Sequence, residues 1–199
     1  MVRRTLCLLL LMVAVCVRVA ADEEASNTPH VAIDQFGRCY AKSVPLESYG
    51  SAGSTSVYAV ERGQDRLIDS YAWYSKEIYL QCYTQMPDGR SATSVVQLGP
   101  WARGQKASRG DLALAFYAGG ALLRRYSTLD IAGSPDRVSA SVSHYRVIAR
   151  VDGYVANGSR SAFAIVTEDG RSLLFDPATG VLVQTIAEPV RGSGVAPVR

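Results

Sequence analysis

"LIDSYAWYSKEIYLQC", Leu67 to Cys82, alternates apolar and polar positions on either side of Ser75-Lys76. That two-residue period is the pattern of a half-buried strand; an amphipathic helix would repeat every 3.6 residues. Read as a hairpin turned at Ser75-Lys76, the stretch sets Tyr74 opposite Glu77, Trp73 opposite Ile78, Tyr71 opposite Leu80 and Asp69 opposite Cys82. One face then carries Leu67, Tyr71, Trp73, Ile78, Leu80 and Cys82 as a core face. Asp69 is its odd member and requires a buried partner or an edge position.

The same texture runs through the chain. Alternating or continuously β-prone runs occupy 36–42, 55–61, 66–74, 77–84, 92–98, 112–117, 122–128, 138–151, 162–167, 172–175 and 181–186. Between them "RGQD", "PDGR", "AGG", "AGSPD", "EDGR" and "DPATG" supply the Gly, Pro and Asx residues that tight turns require. Helical periodicity is not sustained anywhere, although 109–117 is compatible with a short helix. About eleven short, mostly antiparallel strands predict an all-β sandwich, barrel or meander.

A second hairpin, 172–175 to 181–186, is turned by "DPATG", where Pro177 presets φ and Gly180 takes a left-handed conformation. "DGRS" occurs twice, at Asp88–Ser91 and Asp169–Ser172. No 40–50-residue period accompanies it, so recurrent hairpin turns explain the echo better than propeller blades.

The ends frame one domain. "MVRRTLCLLLLMVAVCVRVAADEE" places Arg3 and Arg4 before a 13-residue apolar run, 5–17, followed by Val19, Ala20 and Ala21. This is the layout of a secretory signal peptide, residues 1–21, cleaved after Ala21. A membrane span needs about 18 or more apolar residues, and Arg18 ends the run early. Acylation at Cys16 is the lipoprotein alternative, with Val15 where such sites prefer a smaller residue. Residues 22–30 and 188–199 lack periodicity and read as a flexible segment and a flexible tail. Residues 31–187 are the all-β domain, long enough for a single core.

Charge narrows the function classes. The formal net charge is +3, but Arg3, Arg4 and Arg18 belong to the leader, which leaves 18 basic against 18 acidic residues. A neutral mature chain offers no sustained positive field for nucleic acid or an anionic membrane. Arginine outnumbers lysine 18 to 3, and Ala, Val and Gly abound, the composition of a GC-rich coding sequence and of a bacterial export product, periplasmic or secreted. In a eukaryotic setting Asn157-Gly158-Ser159 would be a glycosylation acceptor. Leader removal also takes Cys7 and Cys16, so Cys39 and Cys82 remain as one disulfide pair. The bond would close a loop of about 44 residues, worth roughly 4 kcal/mol on the chain-entropy model.

Catalytic chemistry is sparse. "SASVSHYRV", Ser139 to Val147, gathers three serines and one of only two histidines. On a continuous strand Ser139, Ser141 and Ser143 share one face and His144 points to the other. A hairpin looped at "GSPD" would set His144 opposite Arg125 and Asp130 opposite Ser139, about 16 Å from the histidine's partner. No Ser–His–carboxylate contact forms in that register, so no residue is assigned a catalytic role. An envelope hydrolase using His144 stays the rival reading. Two histidines, no C-x-x-C among the mature cysteines, no D-x-D-x-D-G loop and no Gly-rich phosphate loop leave no metal or cofactor assigned.

The loop "GPWARGQKASRGD", Gly99 to Asp111, clusters Arg103, Lys106 and Arg109 around Trp101. A cationic loop with an aromatic surface can contact an anion or a partner, and these four residues are the candidate ligand- or partner-binding set. Tyr79 and Tyr83, opposite Trp73, are the aromatic residues whose exposure is informative.

"FGRCYAKSVP", "WYSKEIYLQC", "FYAGGALLRRYSTLDIAG" and "VSASVSHYRV" together resemble a group of exported bacterial proteins that carry no assigned activity. The resemblance spans most of 36–183 and implies no catalytic residues. The sequence thus points to a noncatalytic exported all-β domain that binds a protein or envelope partner. A small-ligand carrier with a barrel cavity is the other alternative. A deep apolar cavity would favour the carrier, and a flat exposed aromatic or basic patch the binder.

Overall fold

A computed structural model describes residues 24–187. The signal peptide and cleavage site expected from the sequence, and the expected flexible tail at 188–199, fall outside them. Fifteen strands and one short helix follow in the order β1 (His30–Ile33), β2 (Cys39–Pro45), β3 (Gly53–Ala59), β4 (Arg66–Tyr71), β5 (Ile78–Gln85), β6 (Ser91–Leu98), β7 (Ala102–Arg103), β8 (Leu112–Ala118), β9 (Ala121–Ser127), α1 (Thr128–Ala132), β10 (Ser139–Ala140), β11 (His144–Arg146), β12 (Ile148–Asn157), β13 (Arg160–Thr167), β14 (Arg171–Phe175) and β15 (Leu182–Ala187). The protein is all-β, as the alternation predicts.

The strands form three four-stranded antiparallel meanders taken in chain order. Sheet I is β1-β2-β3-β4, sheet II β5-β6-β8-β9 and sheet III β12-β13-β14-β15, while β10-β11-β7 make a small sheet. None of these sheets closes into a barrel, so the barrel-cavity alternative has no barrel to stand on. The meanders start at residues 30, 78 and 148, an uneven spacing, which explains why no fixed repeat shows in the sequence. The two "DGRS" turns fall at non-equivalent places, β5–β6 and β13–β14, as recurrent turns would.

Sheet II lies between the other two. On one face Ile78, Leu80 and Val95 meet Ala41, Val57 and Tyr71 of sheet I. On the other, Val96, Leu98, Leu114 and Phe116 meet Phe163, Ile165, Leu173 and Phe175 of sheet III. Six successive residues of β6, Thr93 to Leu98, are therefore buried with no alternation. A strand covered on both faces has no solvent side, so its polar members bond inward: Ser94 Oγ donates to Pro177 O at 3.1 Å and Gln97 Oε1 accepts from Tyr117 Oη at 2.9 Å.

The Leu67–Cys82 hairpin does not form. β4 pairs with β3, with Tyr71 opposite Thr55, and β5 pairs with β6, with Ile78 opposite Gln97. Ser75-Lys76 instead crosses from sheet I to sheet II. Buried Ser75 Oγ lies 2.7 Å from the carbonyl oxygens of both Glu77 and Leu98, which share its one O–H, and Tyr74 N–H reaches Ser51 O at 2.8 Å. Tyr71, Ile78, Leu80 and Trp73 do share one core, but across two stacked sheets, whereas Leu67 is 51% exposed. Side-chain alternation determines which face is apolar; two apolar faces can meet by stacking as readily as by pairing.

The hairpin looped at "GSPD" also gives way. β9 pairs with β8, setting Arg125 opposite Ala115, and His144 pairs with Arg103. A helical turn intervenes because Ser127 and Asp130 form a capping box and Gly133, at φ 73°, closes the C-terminus in the left-handed region. The 138–151 run breaks into β10, β11 and the start of β12. The "DPATG" hairpin, by contrast, stands as read: Phe175 pairs with Leu182, and Gly180 has φ 69°.

Cys39 of β2 and Cys82 of β5 lie at disulfide distance, Cα to Cα 6.3 Å, and tie sheet I to sheet II. Asp34 joins them as a group of potential metal ligands within 4.8 Å, although sulfurs joined in a disulfide offer no thiolate. No helix among the described residues is long and apolar enough to cross a membrane.

Candidate functional site

The small sheet builds the site. β7 pairs with β11, placing Arg103 opposite His144 and Ala102 opposite Tyr145. Tyr145 is buried and pinned: its hydroxyl donates to Asp111 Oδ2 at 2.6 Å and lies 2.8 Å from Thr128 Oγ1. Burial raises the Tyr145 pKa, and the Asp111 carboxylate that accepts its hydrogen bond raises it further. The adjoining turn is held by Gln105, whose Nε2 donates to the carbonyls of Ser141 at 2.7 Å and Val142 at 3.1 Å.

On this base Trp101 stacks on His144, ring centroids 4.5 Å apart and planes 21° from parallel. Trp101 is 38% exposed, whereas His144 is 6% exposed. The indole thus presents one face outward from a rigid backing. Two open clefts flank it, of about 450 and 580 Å³, and both are lined by Glu24, Pro100, Trp101, Ala102 and Leu112. Arg103 and Arg125 line the first, Lys76, Arg146 and Arg150 the second.

Glu24 lies at the centre. Its side chain is only 8% exposed, with Oε1 3.7 Å from Lys76 Nζ, and Oε2 3.9 Å from Arg103 Nη2 and 3.7 Å from His144 Nε2. A carboxylate so far from water must be held by opposite charge. Residues 24–29, in the segment read as flexible, have no regular secondary structure but are tied by polar contacts. Asn27 N–H reaches Ser48 O at 2.7 Å, Asn27 Nδ2 donates to the carbonyls of Glu47 and Gly50, and Tyr74 Oη donates to Thr28 O at 3.0 Å.

Ser143 and His144, expected to point apart on a strand, are in contact: Ser143 Oγ lies 2.8 Å from His144 Nδ1. Ser141 to Ser143 form the β10–β11 turn, so strand alternation does not govern them. A Ser143–His144–Glu24 line results, and chemically such a line can relay a proton from a nucleophile. Two features weaken it. The 3.7 Å from Nε2 to Oε2 exceeds hydrogen-bond length, and Lys76 and Arg103 compete for the same carboxylate. Asp130, the other carboxylate weighed for this role, is in the helix cap, its pKa lowered by the Ser127 hydroxyl and backbone N–H.

Of the four candidate binding residues, the fold brings Trp101 and Arg103 together at the clefts. Lys106 pairs with Asp136 at 3.2 Å and Arg109 with Asp130 at 3.9 Å, both largely exposed, and neither lines a cleft. Tyr79 packs on Phe163, while Tyr83 is 64% exposed, with φ 64°. Sequence reading missed Glu24 entirely, because nothing in a short polar segment signals a partner 120 residues away.

A second surface emerged from pairing alone. Ile33, Tyr40, Tyr58 and Leu67 are successive register partners across the outer face of sheet I. The row is solvated at both ends, and its two tyrosines stack at 5.2 Å. The chain matches no protein-family model, no curated protein and no solved structure.

Proposed function

We propose that this is a noncatalytic, exported, bacterial all-β domain, processed after Ala21, that binds a protein or envelope partner through the cleft at Trp101 and Arg103. One observation carries the reading: an exposed indole face, rigidly backed by His144, between two open clefts edged with cations. Aromatic and arginine anchors in preformed concave surfaces contribute most of the binding energy at interfaces. The Cys39–Cys82 pair suits an oxidising compartment.

The test is crosslinking and co-purification from the native envelope, comparing the native chain with Trp101→Ala and Arg103→Ala. A partner recovered by the native chain and lost with both variants supports the reading. Repeated recovery of the protein alone, or recovery indifferent to both substitutions, refutes it. Hydrolysis is the second reading, favoured by the 2.8 Å contact between Ser143 and His144.

A further inference from the structure

We infer that the Trp101 clefts are one groove for an acidic peptide, whose carboxylate seats between Lys76, Arg103 and His144, and that residues 24–27 are its resident stand-in. The inference rests on the partner-binding reading and names the ligand's chemistry.

Three observations carry it. First, the carboxylate seat is built from separate parts of the fold: Lys76 from the crossover between sheets I and II, Arg103 from β7 and His144 from β11. Their convergence defines a receptor for one anionic group, and a segment without secondary structure fills it. Second, both clefts share Glu24 along with Pro100, Trp101, Ala102 and Leu112, so the Glu24 carboxylate sits where the two meet beside the indole. A peptide carboxylate taking the place of Glu24 would have a cleft on either side of it.

Third, the segment is held in the manner of a bound peptide. Its backbone takes part at both ends, with Asn27 N–H on Ser48 O and Ala25 O accepting from Lys76 Nζ. Ala25, Ser26 and Thr28 are exposed, so the strap buries no apolar side chain to hold it down. Segments with few buried apolar contacts sit at the low end of local stability and open first. A competing peptide with the same carboxylate can therefore replace it.

The test uses the full mature chain and one probe, the acetylated, amidated hexapeptide DEEASN, which reproduces residues 22–27. Binding is measured by calorimetry for the native chain, Glu24→Ala, Glu24→Gln, and Glu24→Ala combined with Arg103→Ala. A tethered segment competes at an effective concentration on the order of millimolar. Glu24→Ala and Glu24→Gln are therefore expected to bind the peptide about tenfold or more tightly than the native chain does. Adding Arg103→Ala should abolish the gain, and a peptide with Gln as its third residue should not bind.

Equal affinity for the native chain and both Glu24 variants overturns the inference, as does binding indifferent to the Gln peptide. Glu24→Gln keeps the side chain's shape, so it reports even where Glu24→Ala perturbs folding. The two readings separate cleanly. Partner recovery that depends on Trp101 together with a flat peptide series sinks the carboxylate seat alone. The expected peptide series with no Trp101-dependent partner sinks the partner reading and leaves the seat.

Discussion

Val95 and Val96 are neighbours in β6, both fully buried, and they belong to different cores: Val95 to the one shared with sheet I, Val96 to the one shared with sheet III. Replacing either by alanine removes two carbons from a packed site. At about 0.8 kcal/mol per buried methylene the transfer loss is roughly 1.6 kcal/mol, and the cavity left behind brings the total to about 2 to 3 kcal/mol. Because the two side chains point to opposite faces and share no partners, the losses should add, to about 5 kcal/mol in the double variant. Urea unfolding followed by tryptophan fluorescence measures this. With an m-value of about 2 kcal/mol per molar, each single variant shifts the midpoint by roughly 1 M. Val142→Ala, at a side chain 77% exposed, is the control and should stay within about 0.5 kcal/mol. A loss below about 0.5 kcal/mol at either Val95 or Val96 would show that one face of sheet II is open to water and would refute the three-layer stack.

Four further outcomes follow from the same geometry. Replacing Cys39 and Cys82 together by serine should cost roughly 4 kcal/mol, and labelling of the denatured, unreduced native chain should find no free thiol at either position. Gly180→Ala should lower stability by about 2 kcal/mol or more in a thermal melt, because φ is +69° and a Cβ would stand 2.9 Å from Arg124 Cβ and 3.0 Å from Phe116 Cβ. Burial raises the Asp69 pKa, against the opposing bonds from Tyr71 and Gly120, so its contribution to stability is complete below the unfolded-state value and declines as pH rises through the folded one. Asp69→Asn should accordingly gain stability over the native chain as pH rises from below the ordinary aspartate value of about 3.9 through the raised folded one, and a difference that does not change with pH above that ordinary value would contradict the assignment. A fluorophosphonate probe should leave Ser143 unlabelled, and stoichiometric labelling there would turn the Ser143–His144–Glu24 line into an active site.

Much of the fold was legible in local sequence. All eleven β-prone runs overlap strands, ten of them a single strand each, because alternation of apolar residues and turn chemistry act over a few residues. The "DPATG" turn was readable for the same reason, since Pro177 fixes its own φ and Gly180 is free to take the positive φ the turn needs. The remaining run, 138–151, holds β10, β11 and the start of β12 but is interrupted at Ser141 to Ser143, a turn that β propensity does not distinguish from a strand. α1 was missed because a five-residue helix has no periodicity to detect, although Ser127 and Asp130 spelled its cap. At the site, Trp101 and Arg103 stood out as an aromatic beside a cation, whereas Glu24 carried no local signal.

By itself, the sequence determined that the chain is all-β, where most strands begin and end, and which side chains are apolar enough to turn inward. Tertiary structure alone decided which strands pair, that Ser75-Lys76 crosses between sheets instead of reversing, and that β6 is covered on both faces. It alone brought Glu24 to His144. The physical reason is one of range: alternation and turn preference are properties of neighbouring residues, whereas pairing and stacking are chosen by the burial of whole faces, which many registers satisfy locally and few satisfy together.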